Sequence, residues 1–238
     1  MKLKKIIVFV IIAVFYGSVF AQDDGIRLIL KASIGNVKNS SFYVYEPPFK
    51  AKAIYKDTLE AANQYPEQLM SSVMSENSEA WYRYNKLETD SPSDEVKLRL
   101  NNADAMNPDT NYFELLHKFS FSANGNEYAI LKFKLISDKK NKSVTGAYTL
   151  IKDNGKWKRT STPQTFRMTM MHVFFKTDRL QELFNGQKTG ERLMDSLIDK
   201  VYQNGTLDLE RLATEFEKWA KNNEMDNLAF FTEQPNWN

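Results

Sequence analysis

Two histidines, His117 and His172, are the only side chains in this 238-residue chain whose ordinary titration falls near neutral pH. They lie far apart, and neither has a second histidine at the HxxxH spacing that places two imidazoles on one helical face. No metal site is therefore expected. The chain has no cysteine, which removes thiolate chemistry, disulfides and a lipid-modified cysteine. Its nine glycines form no phosphate-cradling loop and no nucleophile elbow, and no cofactor is expected. A Ser-His-Asp assembly is spatial, and nothing in the order of residues points to one. What remains is imidazole chemistry, which depends on the elements that carry each histidine.

His117 falls in Tyr112–Ser122, a run that reads as a strand with Phe113 and Leu115 facing inward. Asn124-Gly125-Asn126 then turns into Tyr128–Ile136, which is followed by Ser143–Ile151. In the first of these runs Leu131, Phe133 and Leu135 alternate with Lys132 and Lys134, predicting one dry face and one wet face. Asn154-Gly155 is a type I′ hairpin signal, because both residues tolerate a positive φ. A two-residue loop there pairs Lys152 with Trp157 and Leu150 with Arg159. Tyr148, Leu150 and Trp157 then share a face, read as core, with the stems of Lys152 and Arg159 at its rim.

A helical region followed by a meander that closes on Leu150-Ile151-Lys152-Asp153-Asn154-Gly155-Lys156-Trp157-Lys158 resembles the nuclear transport factor 2-like (SnoaL-type, cystatin-like) superfamily. The resemblance covers about residues 58–160. It implies a strongly bent antiparallel sheet wrapped around helices to leave a cone-shaped cavity. Enzymes of that superfamily use a histidine or aspartate inside the cone as general base, which makes His117 the catalytic candidate. The plainer reading of His117 is a satisfied, half-buried strand residue. Non-enzymatic members bind ligands or partners in the same cavity. Here Trp81, Tyr84, Tyr148 and Trp157 would line it, although aromatics at helix and strand spacing more commonly form core.

The rest of the chain supplies flanking elements. Gly25–Ala32 and Ser40–Tyr45 read as an opening β-hairpin stopped by Pro47-Pro48, since proline cannot donate to a ladder. Asp57-Thr58 caps a short helix, and Pro66 starts a second, carrying Leu69, Met70 and Val73. After a break, Trp81 and Tyr84 continue a helical face. Glu88–Thr110 reads as a long polar loop with a short helix at Glu95–Leu100. Gln164–Lys176 reads as a final strand through Met170, with a buried helix as the alternative. Three helices follow. Gly186 ends the first, Thr189 caps the second, and Asp208 caps the third, which carries Leu209, Leu212, Phe216 and Trp219 along one stripe. The last two form a hairpin joined at Asn204-Gly205-Thr206.

Residues 1–21 open with Lys2, Lys4 and Lys5, run apolar from Ile6 to Tyr16, and end at Val19-Phe20-Ala21. That is an export signal with cleavage expected after Ala21. Its removal leaves 29 basic and 30 acidic residues, a net of −1, so no nucleic-acid partner is expected. No membrane span is expected after cleavage. An exported chain without disulfides fits a bacterial envelope protein, periplasmic or secreted. Residues 131–160 carry nine basic and two acidic side chains, so Lys132, Lys134, Lys139, Lys140 and Lys142 define a basic face. Such a face suits an acidic partner, or simply guards a solvated sheet against edge pairing.

The expected layout is α+β: a bent antiparallel sheet against N-terminal helices over 22–176, a helical hairpin extension over 177–222 and a tail over 223–238. The expected function is a non-catalytic module that binds a protein or small ligand in the cell envelope. The alternatives are an isomerase or hydratase with His117 as base, and a structural subunit docked through the helical hairpin.

Overall fold

The computed structural model describes residues 26–30, 32–33, 38–51, 65–73, 78–101, 107, 109–137 and 141–233. The export signal, the helix expected after Asp57-Thr58, the turn between the first two strands, and Lys139 and Lys140 lie outside the described residues.

The fold is mixed α+β around one antiparallel sheet of six strands. In sheet order these are β1 (Ile26–Leu30), β3 (Lys38–Ala51), β4 (Asn111–Ala123), β5 (Asn126–Ser137), β6 (Lys142–Asp153) and β7 (Lys156–Arg159). A short second sheet holds β2 (Ala32–Ser33), β9 (Thr206–Asp208) and β8 (Tyr202–Gln203), with β2 and β9 parallel. This small sheet ties the first hairpin to the C-terminal helices.

Three Asn-Gly pairs make the tight turns: Asn124-Gly125, Asn154-Gly155 and Asn204-Gly205, all at positive φ. The registers follow from them, with Ala123 opposite Asn126, Asp153 opposite Lys156 and Gln203 opposite Thr206. Lys152 pairs with Trp157 and Leu150 with Arg159, as the two-residue loop requires.

Pro47-Pro48 does not end its strand. The register jumps between Val44 and Phe49, so residues 46–48 bulge into solvent and owe β4 no donor. The strand resumes at Phe49 opposite Leu115.

One face of the sheet carries α1 (Pro66–Ser72) and α2 (Glu79–Asn85). Proline opens α1, and Ser78 Oγ caps α2 by accepting from Trp81 N. Leu69, Met70 and Trp81 bury here against Leu131, Leu150 and Trp157. The expected polar loop holds a full helix, α3 (Pro92–Leu100), which buries none of its own residues. It is held from outside instead, by the Lys86–Glu95 pair at 2.6 Å and by Arg99 Nη2 donating to Val73 O at 2.9 Å.

The other face is covered by α4 (Pro163–Phe174), α5 (Thr177–Asn185), α6 (Arg192–Val201), α7 (Leu209–Asn222) and α8 (Met225–Phe231). The run expected as a final strand is α4. Thr162 accepts from Thr165 N as its N-cap and Pro163 occupies its first turn, which outweighs the alternating pattern. Met168, Met171 and His172 then share one buried helical face. The stripes of α6 and α7, expected as a hairpin extension, bury in the core of this face, against each other, α4, α8 and the short second sheet: Leu197, Val201, Leu212 and Trp219 are all closed off. The α6 N-cap is Glu191 rather than Thr189, and β8–β9 joins α6 to α7. Within the expected tail, α8 packs Phe231 onto Trp219, ring centroids 5.0 Å apart.

Among the described residues no helix is long and apolar enough to cross a membrane.

Candidate functional site

The chemistry of this chain collects in one buried polar cluster on the second face of the sheet. A bulge builds it. Between Leu115 and His117, two residues of β4 oppose a single step on β5, from Phe133 to Lys132. One extra residue flips the side chains that follow. Phe113 and Leu115 therefore stay on the α1–α2 face, while His117 turns to the α4 face beside Phe42 and Phe119. The expectation that His117 shares a face with Phe113 and Leu115 is corrected by this bulge. So is its place beside Trp81 and Trp157, which pack on the opposite side of the sheet.

Lys132 is the cross-strand neighbour of His117 and is 0% exposed. Its ammonium donates to the carbonyl of Phe175 and to the carboxylate of Glu233. α4 brings His172, also 0% exposed, onto His117. His117 Nε2 and His172 Nδ1 lie 2.9 Å apart, and His117 Nδ1 lies 3.0 Å from Thr177 Oγ1 at the start of α5. His172 stacks on Phe119 at 5.6 Å, and its Nε2 is buried with no hydrogen-bond partner among the described residues.

Burial pushes the His117 imidazole well below its usual range, and the nearby His172 and Lys132 add to that. Burial, then Lys132, pushes His172 down to about 3. Burial also lowers the Lys132 ammonium, against the pull of Glu233. Both imidazoles are thus neutral at physiological pH. In the chain Thr177–His117–His172 both rings are sealed from solvent, and only Thr177 is partly exposed.

The remaining predicted site residues divide by burial. Trp81 and Trp157 are core, at 1% and 7% exposure, and Trp81 Nε1 donates to Ser72 Oγ at 3.2 Å. Tyr148 is half-buried between the Phe133 ring at 4.9 Å and the Arg159 guanidinium at 3.9 Å. Tyr84 is 53% exposed and faces solvent, away from that core. The expected basic face loses Lys132 to the interior. Lys134 is half-buried and Lys142 exposed.

A second polar cluster joins α1 to the sheet. The Glu67 carboxylate accepts from Tyr45 Oη at 2.5 Å and from the Lys118 ammonium. Burial alone would raise the Glu67 pKa, but Lys118 and Tyr45 outweigh it and hold the carboxyl low. Burial, then Glu67, holds the Tyr45 phenol well above its usual range.

Glu233, Thr177, Tyr45, Glu67 and Lys118 were not legible as site residues, and Lys132 was legible only as part of an exposed basic face. Their partners are 22 to 101 positions away, and no local spacing signals them. Among the described residues no three His, Asp or Glu side chains converge as a metal site. No family model matches the chain, and no curated protein or solved structure matches it.

Proposed function

We propose that this chain is an exported, non-catalytic module of the bacterial envelope that binds a protein partner through its α2–α3 side. The observation that carries the reading is how the fold spends its side chains. His117, His172, Trp81 and Trp157 are all consumed inside. Tyr84 on α2, Leu87 in the connection, and Leu98 and Leu100 on α3 remain 41% to 63% exposed, where α2 packs on β7 and α3 packs on α2. Exposed apolar side chains on neighbouring elements suit protein contact. The export half of the reading rests on residues 1–21.

The nuclear transport factor 2-like reading is kept in the same sense. It is supported by helices that precede an antiparallel meander, and by the closing hairpin that sets Trp157 in one core with Trp81. The helices on the second face are additional to that pattern. The isomerase alternative needs His117 open to a cavity, and the bulge works against it. The structural-subunit alternative needs a free stripe on α6 and α7, and those stripes are buried in the core.

The test is site-specific photocrosslinking in cells, with the crosslinker at position 98 and a control at position 142. A discrete adduct from position 98 alone, lost in Tyr84→Ser, is expected. Equal labelling from both positions would overturn the reading. So would turnover of a small substrate that disappears in His117→Ala.

A further inference from the structure

The segment that follows Trp219 folds back over the junction of α4 and α5. Glu233 N donates to Phe174 O at 2.8 Å, and Lys176 N donates to Phe231 O at 3.0 Å. Phe175 and Thr232 form an isolated antiparallel bridge. The Lys176 ammonium adds bonds to Ala229 O and Phe230 O. Beneath this strap lies the buried cluster. Lys132 reaches up to Phe175 O on one side and to the Glu233 carboxylate on the other, so the strap is bolted to the sheet by one ammonium.

We propose that Met225–Glu233 is an acid-released strap, locked over the sheet by Lys132 and freed when His117 and His172 take up protons.

The geometry limits how many protons the pair can hold. His117 Nε2 and His172 Nδ1 face each other at 2.9 Å with room for one hydrogen between them. A second proton sets N–H against N–H, and the rings must part. Each added charge also faces the Lys132 ammonium in a low-dielectric interior. Lys132 is the charged group that acts on both imidazoles, His117 and His172 act on each other, and Thr177 bonds His117; Lys132 in turn feels Glu233 on the strap, Lys134 on β5 and Asp178 on α5. Among the described residues Glu233 is the only carboxylate bonded to Lys132, and its side chain is 36% exposed. It is therefore the member best placed to leave for water.

His172 lies on α4, whose last carbonyl, Phe174 O, accepts from Glu233 N of the strap. Movement of that ring is felt first at Phe174 and Phe175, and so at the strap. The sheet side of the cluster is held separately by the β4–β5 ladder. Release would uncover the Phe231 face of Trp219.

Hydrogen exchange read by mass spectrometry on the purified full chain tests this, with rates corrected for the intrinsic pH dependence. Between about pH 6.5 and about pH 4.5, the amides of Lys176, Thr232 and Glu233 are expected to lose about tenfold or more of their protection. The β5 amides should keep theirs over the same range. Glu233→Gln should loosen the same three amides at neutral pH by about tenfold. His172→Gln should move release about one pH unit lower. Simultaneous loss of strap and β5 protection would overturn the proposal, as would strap protection that stays flat with pH. Both of those outcomes are read on the unsubstituted protein, so a variant that fails to fold does not shield the idea.

Discussion

Phe231 and Phe166 are the same residue type in opposite situations. Phe231 is 0% exposed, with its ring stacked on Trp219 at 5.0 Å and facing Phe175 at 6.0 Å. Phe166 is 56% exposed on the first turn of α4. Truncating a fully buried phenylalanine costs about 3–5 kcal/mol, from lost transfer free energy plus the void it leaves. The stacked pair adds about 0.5–1.5 kcal/mol to that kind of site. The void lies near a chain end, where relaxation is easier, so the lower half, about 3 kcal/mol, is the expected cost of Phe231→Ala. With a urea slope of about 2 kcal/mol/M, the unfolding midpoint moves down by about 1.5 M. Phe166→Ala should stay within about 0.5 kcal/mol. Urea unfolding followed by tryptophan fluorescence measures both, since Trp219 reports directly on the Phe231 contact. Equal midpoints for the two variants would refute the reasoning, and the C-terminal helix would then have to be regarded as undocked.

Three further outcomes are expected. A Cβ at Gly146 would lie 2.7 Å from Phe133 Cζ, so Gly146→Val overpacks a strand pair and costs about 1–3 kcal/mol, visible as a melting point lower by several degrees. The pH dependence of stability has a definite sign. His172 has a folded pKa lowered to about 3, so the unfolded chain binds its proton first; stability is full above about pH 6.5 and falls as pH drops toward 3. The fall is about 1.4 kcal/mol per pH unit for each of the two buried histidines, and denaturant midpoints taken across that window should drop less steeply in His172→Gln. Glu67→Gln leaves Lys118 without its counter-charge and should cost about 1–3 kcal/mol by urea titration, whereas Lys142→Gln on the exposed sheet end should change nothing measurable.

What the sequence made legible is local chemistry. The Asn154-Gly155 turn and its register follow from two residues that accept positive φ, and the pairing of Lys152 with Trp157 needs nothing beyond loop length. Gly186 at φ 68 ends α5, and Asp208 caps α7, both through contacts within a few residues. The α4 misreading shows two local codes in conflict. Phe166, Met168 and Met170 alternate with Arg167 and Thr169 as a strand would, yet Thr162-Pro163 is a helix opening. Helical spacing buries Met168, Met171 and His172 together, and the cap outweighs the alternation. Pro47-Pro48 misled for a related reason. Proline forbids a ladder bond but not a bulge, and the bulge is where the chain puts it.

The cluster was not legible because each of its members looks ordinary where it stands. Lys132 sits between Leu131 and Phe133, and period-2 reasoning assigns it to water. That assignment assumes the second face is uncovered. Whether it is covered depends on helices that come about thirty to a hundred residues later, and on Glu233, 101 positions away, to neutralise the ammonium. His117 carries the same lesson through the bulge. Its parity with Phe113 and Leu115 is broken by one unpaired residue that no composition rule announces. A buried lysine on a strand is therefore informative only once its counter-charge is found. A carboxylate supplied by the C-terminal strap links the most buried charge in the sheet to the last described segment of the chain. That link makes the acid response of the strap the property on which the chemistry of this fold turns. It is also why the α2–α3 side proposed to bind a partner and the histidine pair must be tested separately: they lie on opposite sides of one sheet.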